Sequence, residues 1–304
     1  MAIADSTGQQ SHPPVPDIYP QLRDTVIIVP AYGEQLGIGL VLKELSESID
    51  STVLVVNRPN GDSTGSVARD LGAVVVDQND QGKGNAVRLG LRYVEDEMPD
   101  TRYIGIIDAD CTYPTSSLEK MRSILEARRS VGMVIARRVT TTNRGISSKV
   151  FAWGNRVLAT AHKVFNRVSL QDPLSGLRLL RADILEGWLP TARGFEVECE
   201  LNCFVRNVRN LQIVEVPILY RERVGEKKLG LRHGFEILRC MISLGTNRVV
   251  TVQPRHSASD GALDTRSTGP LSSIRKSELS NAFQTRRLDQ REVVEGIEQP
   301  ALNR

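Results

Sequence analysis

Two aspartates one residue apart close an apolar run: "YIGIIDAD" spans Tyr103 to Asp110, and "CTYP" follows. A buried strand ends on carboxylates either to cap a turn or to hold something positive. Asp108 and Asp110 at this spacing can grip a hard divalent cation, because Mg2+ or Mn2+ takes one or two protein carboxylates and completes its shell with water and substrate phosphate oxygens. The ion would neutralise charge growing on a diphosphate leaving group. Taken alone the pair reads as a solvated turn; at the end of a fourth strand, beside the loops described below, the metal reading is favoured. Lys83 stands between Gly82 and Gly84, so its backbone can approach a ligand while its ammonium meets phosphate; an ordinary exposed turn lysine is the alternative. Glu34 and Asp62 read as polar walls for a nucleoside or as caps of the helices that follow them. Tyr32 reads as a stacking platform or as loop packing. The run "YRERVGEKKLGLR" carries Arg221, Arg223, Lys227, Lys228 and Arg232, a solvated basic face or a seat for phosphates that suits the arginine fork.

These residues need a frame. "TVIIVPAY", "TVLVVN", "AVVVDQ" and "YIGIIDAD" are short, nearly continuous apolar strands. Between them the spacing predicts helices over 37–49, with Leu40, Val41, Leu45 and Ile49 in phase, over about 66–71, and within "GKGNAVRLGLRYVEDE". A helix over 116–129 and the strand "VGMVIARR" follow, then a helix over 147–165 and the loop "NRVSLQDPLSGLR". "FEVECELNCFVRNV" reads as helix, "LQIVEVPILYRER" as strand and 234–246 as a final amphipathic helix. Strands of this kind alternating with helices predict an α/β fold, a Rossmann-like, mainly parallel sheet flanked by helices. In such sheets ligands bind at the carboxyl ends of the strands. The segment Pro30 to Glu34, the loop around Asp62, the Gly82–Gly84 turn and Asp108–Ala109–Asp110 all fall on that edge.

The 304 residues are 40% hydrophobic and 25% charged, enough for one domain with a sizeable core. Residues 1–22 are expected to be a flexible leader, 23–250 the single domain and 251–304 a disordered polar tail, since the ends are polar and poor in aromatics. A net charge of +3 is too small to suggest nucleic-acid binding. Cys111, Cys199, Cys203 and Cys240 form no CxxC pair and read as reduced thiols; Cys199 and Cys203 share a helix face as core residues. The N-terminal text lacks the apolar stretch of a secretory signal, and no run is long enough to span a bilayer. The chain is therefore expected to be soluble and cytoplasmic.

In order and spacing, the segments resemble the family-two glycosyltransferases of the GT-A fold, and among them the dolichyl- and polyprenyl-phosphate hexosyltransferases (dolichol-phosphate mannose synthase and its archaeal glucosyl relatives). "VPAYGE" resembles the family's PAYNE opening, "NRPNGDSTGSVARDLGA" its DDGSxDGT loop, "GKGNAVRLGL" its KGxAL element and "DADCTYP" its metal site. "VIARR", "DPLSGLRLLRADIL" and "VEVPILYRERVGEKKL" are similar to its GSR, DPxSGFR and VPI…SKL segments. The likeness covers about 25–243. It implies that Pro30, Ala31, Tyr32, Glu34, Asp62 and Ala109 line the nucleotide sugar and that Lys83 lies near the diphosphate. Asp108 and Asp110 would hold Mg2+ or Mn2+, and Asp172 would stand near the sugar. Arg138, Arg178, Arg223 and Lys228 would meet the phosphates of donor or acceptor, with Arg138, Asp172 and Arg178 counted with the aspartate pair as catalytic. Three segments depart from the pattern: Asn57-Arg58-Pro59 stands where the family has paired aspartates, Gly33 replaces the asparagine of PAYNE, and Thr112 stands where mannose synthases often have glutamine. They leave base and sugar open.

The implied reaction moves a hexose, mannose or glucose, from a UDP- or GDP-sugar to polyprenyl or dolichyl phosphate, feeding glycosylation at the cytoplasmic face of a membrane. A phosphate oxygen is anionic at neutral pH and needs no general base, whereas a sugar hydroxyl does. That agrees with His12, His162, His233 and His256 all lying away from the strand ends. A soluble acceptor, such as a phosphoglycerate or glycan hydroxyl, and nucleotidyl transfer are the alternatives. The last helix, with Phe235, Leu238, Met241 and Ile242 on one face, packs in the core or lies on a membrane surface, and the expected partners include that surface and a membrane-embedded subunit.

Overall fold

The computed structural model describes residues 24–139, 146–225 and 231–246. The expected leader and tail, and Lys228, lie outside these residues. Seven strands form one sheet: β1 (Thr25–Ala31), β2 (Thr52–Asn57), β3 (Val74–Asp77), β4 (Tyr103–Ile106), β5 (Val131–Val139), β6 (Arg178–Arg181) and β7 (Gln212–Leu219). Their order across the sheet is β3-β2-β1-β4-β6-β5-β7, and all pair in parallel except β6, which runs antiparallel to both neighbours.

The helices between strands are α1 (Ile38–Ser48), α2 (Thr64–Asp70), α3 (Lys83–Glu97), α4 (Leu118–Ala127), α5 (Ile146–Asn166), α6 (Val197–Cys203) and, after β7, α7 (Leu231–Thr246). Strand side chains alternate in direction, so β1 sends Ile27, Val29 and Ala31 to one core and Val26 and Ile28 to the other. On the first face α1 and α4 bury Val41, Leu45, Leu118 and Met121; on the second, α3 and α6 bury Val87, Leu91, Val197 and Leu201. Each such side chain removed from water contributes about 1.5–3 kcal/mol. The result is the three-layer frame that the near-continuous apolar strands require.

The chain steps outward from β1 to β2 to β3 and then returns to β4 on the other side of β1. The order reverses between β1 and β4, and there the carboxyl ends of adjacent strands splay their loops apart. Asp108 and Asp110 follow β4 at this switch point.

Four local expectations are corrected. β4 stops at Ile106, so the two aspartates occupy a turn beyond the strand. The loop expected to end on Arg178 passes there into β6, which the sequence reading did not foresee; its ladders come from β4 and β5 on either side, which no local pattern reports. The helix expected over 195–208 is α6 followed by one π-helical turn, Phe204–Val208. On α7 the inward residues are Ile237 and Met241, packed on Cys199, whereas Phe235 and Ile242 point outward. Cys199 and Cys203 are buried and free, as their spacing suggests.

Candidate active site

The turn after β4 is held by hydrogen bonds of its own and by the end of β7. Cys111 has a φ of 63°, a left-handed backbone that costs a side-chain-bearing residue of order 1 kcal/mol or more. Its Sγ lies 3.3 Å from the Gly37 carbonyl. The sharp reversal turns Asp110 inward, where its side chain is 2% exposed. Asp110 accepts hydrogen bonds from the Thr112 amide (3.1 Å) and hydroxyl (2.5 Å) and pairs with Arg223 at 2.5 Å. Beyond β7 the chain lies along this turn: Arg221 N–H donates to the Thr112 carbonyl and Val224 N–H to that of Asp110. Of the other basic residues there, Arg221 is spent on Glu44 at the surface.

Asp108 is the more open of the two, with a side chain 27% exposed. Lys83, the first residue of α3, donates to Asp108 at 2.5 Å and to Glu198 of α6 at 2.6 Å. Burial would lower the pKa of Lys83, but the charges of Asp108 and Glu198 outweigh it and the ammonium is held above its usual range. Burial would likewise raise Asp108, and Lys83, then Arg223 and Arg138, overcome it, leaving the carboxyl below its usual value. The glycines beside Lys83 have a different role from the one expected. A Cβ on Gly82 or Gly84 would run into the carbonyls of Arg193 and Ala192, so their bareness seats α3 against the chain's own 192–193 backbone. The Asn85 amide donates to the Arg193 carbonyl at this contact.

Behind the aspartates lies the segment 172–178. Asp172 is buried and takes a bidentate pair from Arg138, Nε at 2.7 Å and Nη2 at 2.6 Å, plus the Arg138 backbone N–H. Gly176 donates its N–H to the buried Tyr113 hydroxyl at 2.7 Å, and a side chain on it would strike the Asp108 carboxylate. Arg178 is turned fully inward. Its guanidinium donates to the carbonyls of Ser175, Pro173 and Glu198 and to Asn202 Oδ1, and burial lowers its pKa. The placement implied by the resemblance, facing a phosphate, is therefore replaced by a brace that ties the loop behind Asp108 to α6.

At the other end of the cleft, Ala31 is buried at the tip of β1 and its carbonyl accepts from Arg58 N–H; Pro30 pairs with Val56 just before it. Tyr32 is exposed, with the Arg58 guanidinium 4.9 Å from its ring centroid. Asp62 accepts from the amide and hydroxyl of Thr64, and that hydroxyl accepts from the Glu34 amide, so Asp62 organises the start of α2. The Glu34 carbonyl opens α1 by accepting from Gly37 and Ile38. Ala109 is buried with its carbonyl packed against Gly37. Thus Lys83, Asp108, Asp110, Arg138, Asp172 and Arg223 are brought together, while Pro30 to Glu34 and Asp62 form a separate wall.

A sequence model of glycosyl transferase family 2 matches residues 26–189, more than half of the chain. The chain belongs to glycosyl transferase family 2. It is 30% identical over 199 residues to glycosyltransferase AglJ of Haloferax volcanii, covering 65% of this chain and 63% of that one. It is 29% identical over 209 residues to a dolichyl-phosphate hexose transferase of the same organism, covering 68% and 86%. Among solved structures, glucosyl-3-phosphoglycerate synthase of Mycobacterium tuberculosis, in complex with Mn2+, UDP-glucose and phosphoglyceric acid, superposes with a TM-score of 0.58 at 20% identity, over 74% of this chain and 80% of that one. That likeness establishes the GT-A-like fold of this glycosyltransferase.

The donor set of the glycosyltransferase fits Mg2+ or Mn2+. Asp108 and Asp110 offer the hard oxygens such an ion prefers, and Lys83 and Arg223, which now neutralise them, would have to yield those oxygens to it. Among the described residues no three metal-ligating side chains converge into a cage, so an ion held by this pair takes further ligands from substrate and water. Glu198, Tyr113 and Gly176 were missed from the sequence. Glu198 lies in a helix read only for its apolar face, and Gly176 meets Asp108 and the Tyr113 hydroxyl across more than sixty residues of chain.

Proposed function

We propose that this glycosyltransferase moves a hexose from a nucleoside diphosphate sugar to a polyprenyl or dolichyl phosphate at the cytoplasmic face of a membrane. The observation that carries the reading is the state of the carboxylates. Asp108, Asp110, Asp172 and Glu198 are each committed to a salt bridge with a cation. An acceptor that attacks through a phosphate oxygen needs no proton removed, whereas one that attacks through a hydroxyl does. The named activity of the Haloferax volcanii relative, a dolichyl-phosphate hexose transferase, supports the same acceptor.

The division of labour follows from charge. A divalent ion on Asp108 and Asp110 would neutralise the leaving diphosphate. Lys83, Arg138 and Arg223 surround the open side of Asp108 and can shift from carboxylate to phosphate, since guanidinium and ammonium groups bind both through the same charge-assisted hydrogen bonds. Arg178, Tyr113 and Gly176 hold the 172–178 loop so that Asp108 stays in register. At the base end, the buried oxygens Asn57 Oδ1 and Gln78 Oε1 have no donor among the described residues. Asn57 is oriented by its Nδ2–H bond to Asp77, which also takes Arg69. Tyr32 with Arg58 offers a stacking surface for the base.

The test is direct: the purified protein is incubated with labelled UDP-glucose or GDP-mannose, Mn2+, and either dolichyl phosphate in detergent or 3-phosphoglycerate. Label entering the organic phase, abolished by chelation, is expected. Label found only on phosphoglycerate, the acceptor present in the Mycobacterium tuberculosis complex, would replace this reading with a soluble-acceptor enzyme.

A further inference from the structure

Helix α5 is unlike the other outer helices. Its sequence, "ISSKVFAWGNRVLATAHKVFN", contains no acidic residue, whereas α3 ends on Glu95, Asp96 and Glu97 and α4 carries Glu119 and Glu126. Its inner face packs on α7 through Leu158 and Ala161, and Asn166 donates to the Met241 carbonyl. The outer face repeats at helical spacing. Trp153 is 69% exposed and Val164 67%, with Val157 exposed between them. Arg156 and Lys163 are exposed along one flank of the same stripe. On the partner helix α7, Phe235 is 75% exposed, and Arg239 and Ile242 follow it at one-turn intervals.

Trp is an expensive residue to leave in water and a favoured one at the boundary of a bilayer, where its ring sits among headgroups and its N–H stays wet. Arg and Lys beside it can lay their stems on the lipid and lift their charges to anionic phosphates. A second copy of this chain would bring the same positive stripe against itself, which like charge opposes. We propose that the outward face of α5, centred on Trp153 and flanked by Arg156 and Lys163, docks this protein onto an anionic lipid surface, with Phe235 of α7 as a second apolar contact. Among the described residues no helix is long and apolar enough to cross a membrane, so docking of this kind is in-plane. Its purpose rests on the lipid acceptor proposed above; the binding itself is measured without donor or acceptor.

The chain has two tryptophans, and Trp188 is buried and stacked on Phe204, so environment-sensitive emission reports Trp153. The full chain is mixed with phosphatidylcholine vesicles with and without phosphatidylglycerol, and sedimentation and tryptophan emission are recorded at low and high salt. Pelleting with the anionic vesicles only, a blue shift quenched by brominated lipid, and loss of both at high salt are expected. Trp153→Phe should abolish the shift and weaken pelleting, and the double change R156E/K163E should lower partitioning roughly a hundredfold. Both variants should keep the wild-type melting temperature and its response to UDP-glucose. No pelleting, or pelleting untouched by either change, overturns the proposal. So does concentration-dependent dimerisation without lipid that Trp153→Phe abolishes, because the face would then join two copies. If vesicles are not bound while dolichyl phosphate in detergent is still glycosylated, the docking face fails and the reaction stands; vesicle binding without lipid-linked product supports the face and removes the reaction.

Discussion

The carboxylate turn at 108–112 and the brace at 172–178 stand back to back, and they are built by opposite means. The turn starts from local contacts, Asp110 held by Thr112 two residues on and Cys111 supplying the reversal, and only then is the end of β7 laid over it through Arg223 and Val224. The brace is long-range: Asp172 is held by Arg138, Gly176 by Tyr113, and Arg178 by Asn202. The first carries the carboxylates, while the second decides where they point. Chemistry can therefore be removed from the turn with the fold intact, whereas the brace cannot be cut without loosening the sheet's centre.

The largest effect separates the two at once. Arg178→Ala strands the Ser175 carbonyl and Asn202 Oδ1 in the core, and should cost about 3–5 kcal/mol of stability, read as a lower denaturation midpoint. An unchanged midpoint would mean that the brace is not structural. Asp110→Asn should instead lower kcat roughly 10²–10³-fold with melting within a few degrees of wild type, as initial rates and circular dichroism will show. A comparable loss of stability would erase the distinction between turn and brace.

A third contrast lies in pH. His162 is buried on α5, its Nδ1 2.9 Å from Asn166 Oδ1. Burial, with the charge of Arg178 adding to it, outweighs that hydrogen bond and brings its pKa from 6.5 down to about 4. Above 6.5 folded and unfolded chains are both neutral at this residue. As pH falls from 6.5 towards 4, only the unfolded chain takes the proton, so stability is lost across that window, by roughly 3 kcal/mol in all. Urea midpoints at pH 7 and pH 4.5 should therefore converge in His162→Phe relative to wild type; equal slopes would refute the assignment. Smallest is Arg58→Ala, which strips the cation from Tyr32 at the solvent edge and should weaken donor binding two- to fivefold with kcat little changed.

The strands and helices of 25–106 were readable because each strand is a buried apolar run and each helix a local period. The positions of Asp108, Asp110 and Lys83 at one sheet edge followed from that alternation. β6 was not readable, since four residues ending in arginine become a strand only when β4 and β5 offer ladders on both sides. For the same reason Arg178 read as a ligand for phosphate: a charged side chain announces its chemistry in the sequence but not whether the core closes over it. By itself, the sequence determined the α/β alternation, the family and the carboxylate pair, because all three are written in residue type and short spacing. Tertiary structure alone decided which cation meets which carboxylate, that the glycines beside Lys83 face the chain's own backbone, and which side of α5 and α7 is left outside, because those contacts join residues far apart in the chain.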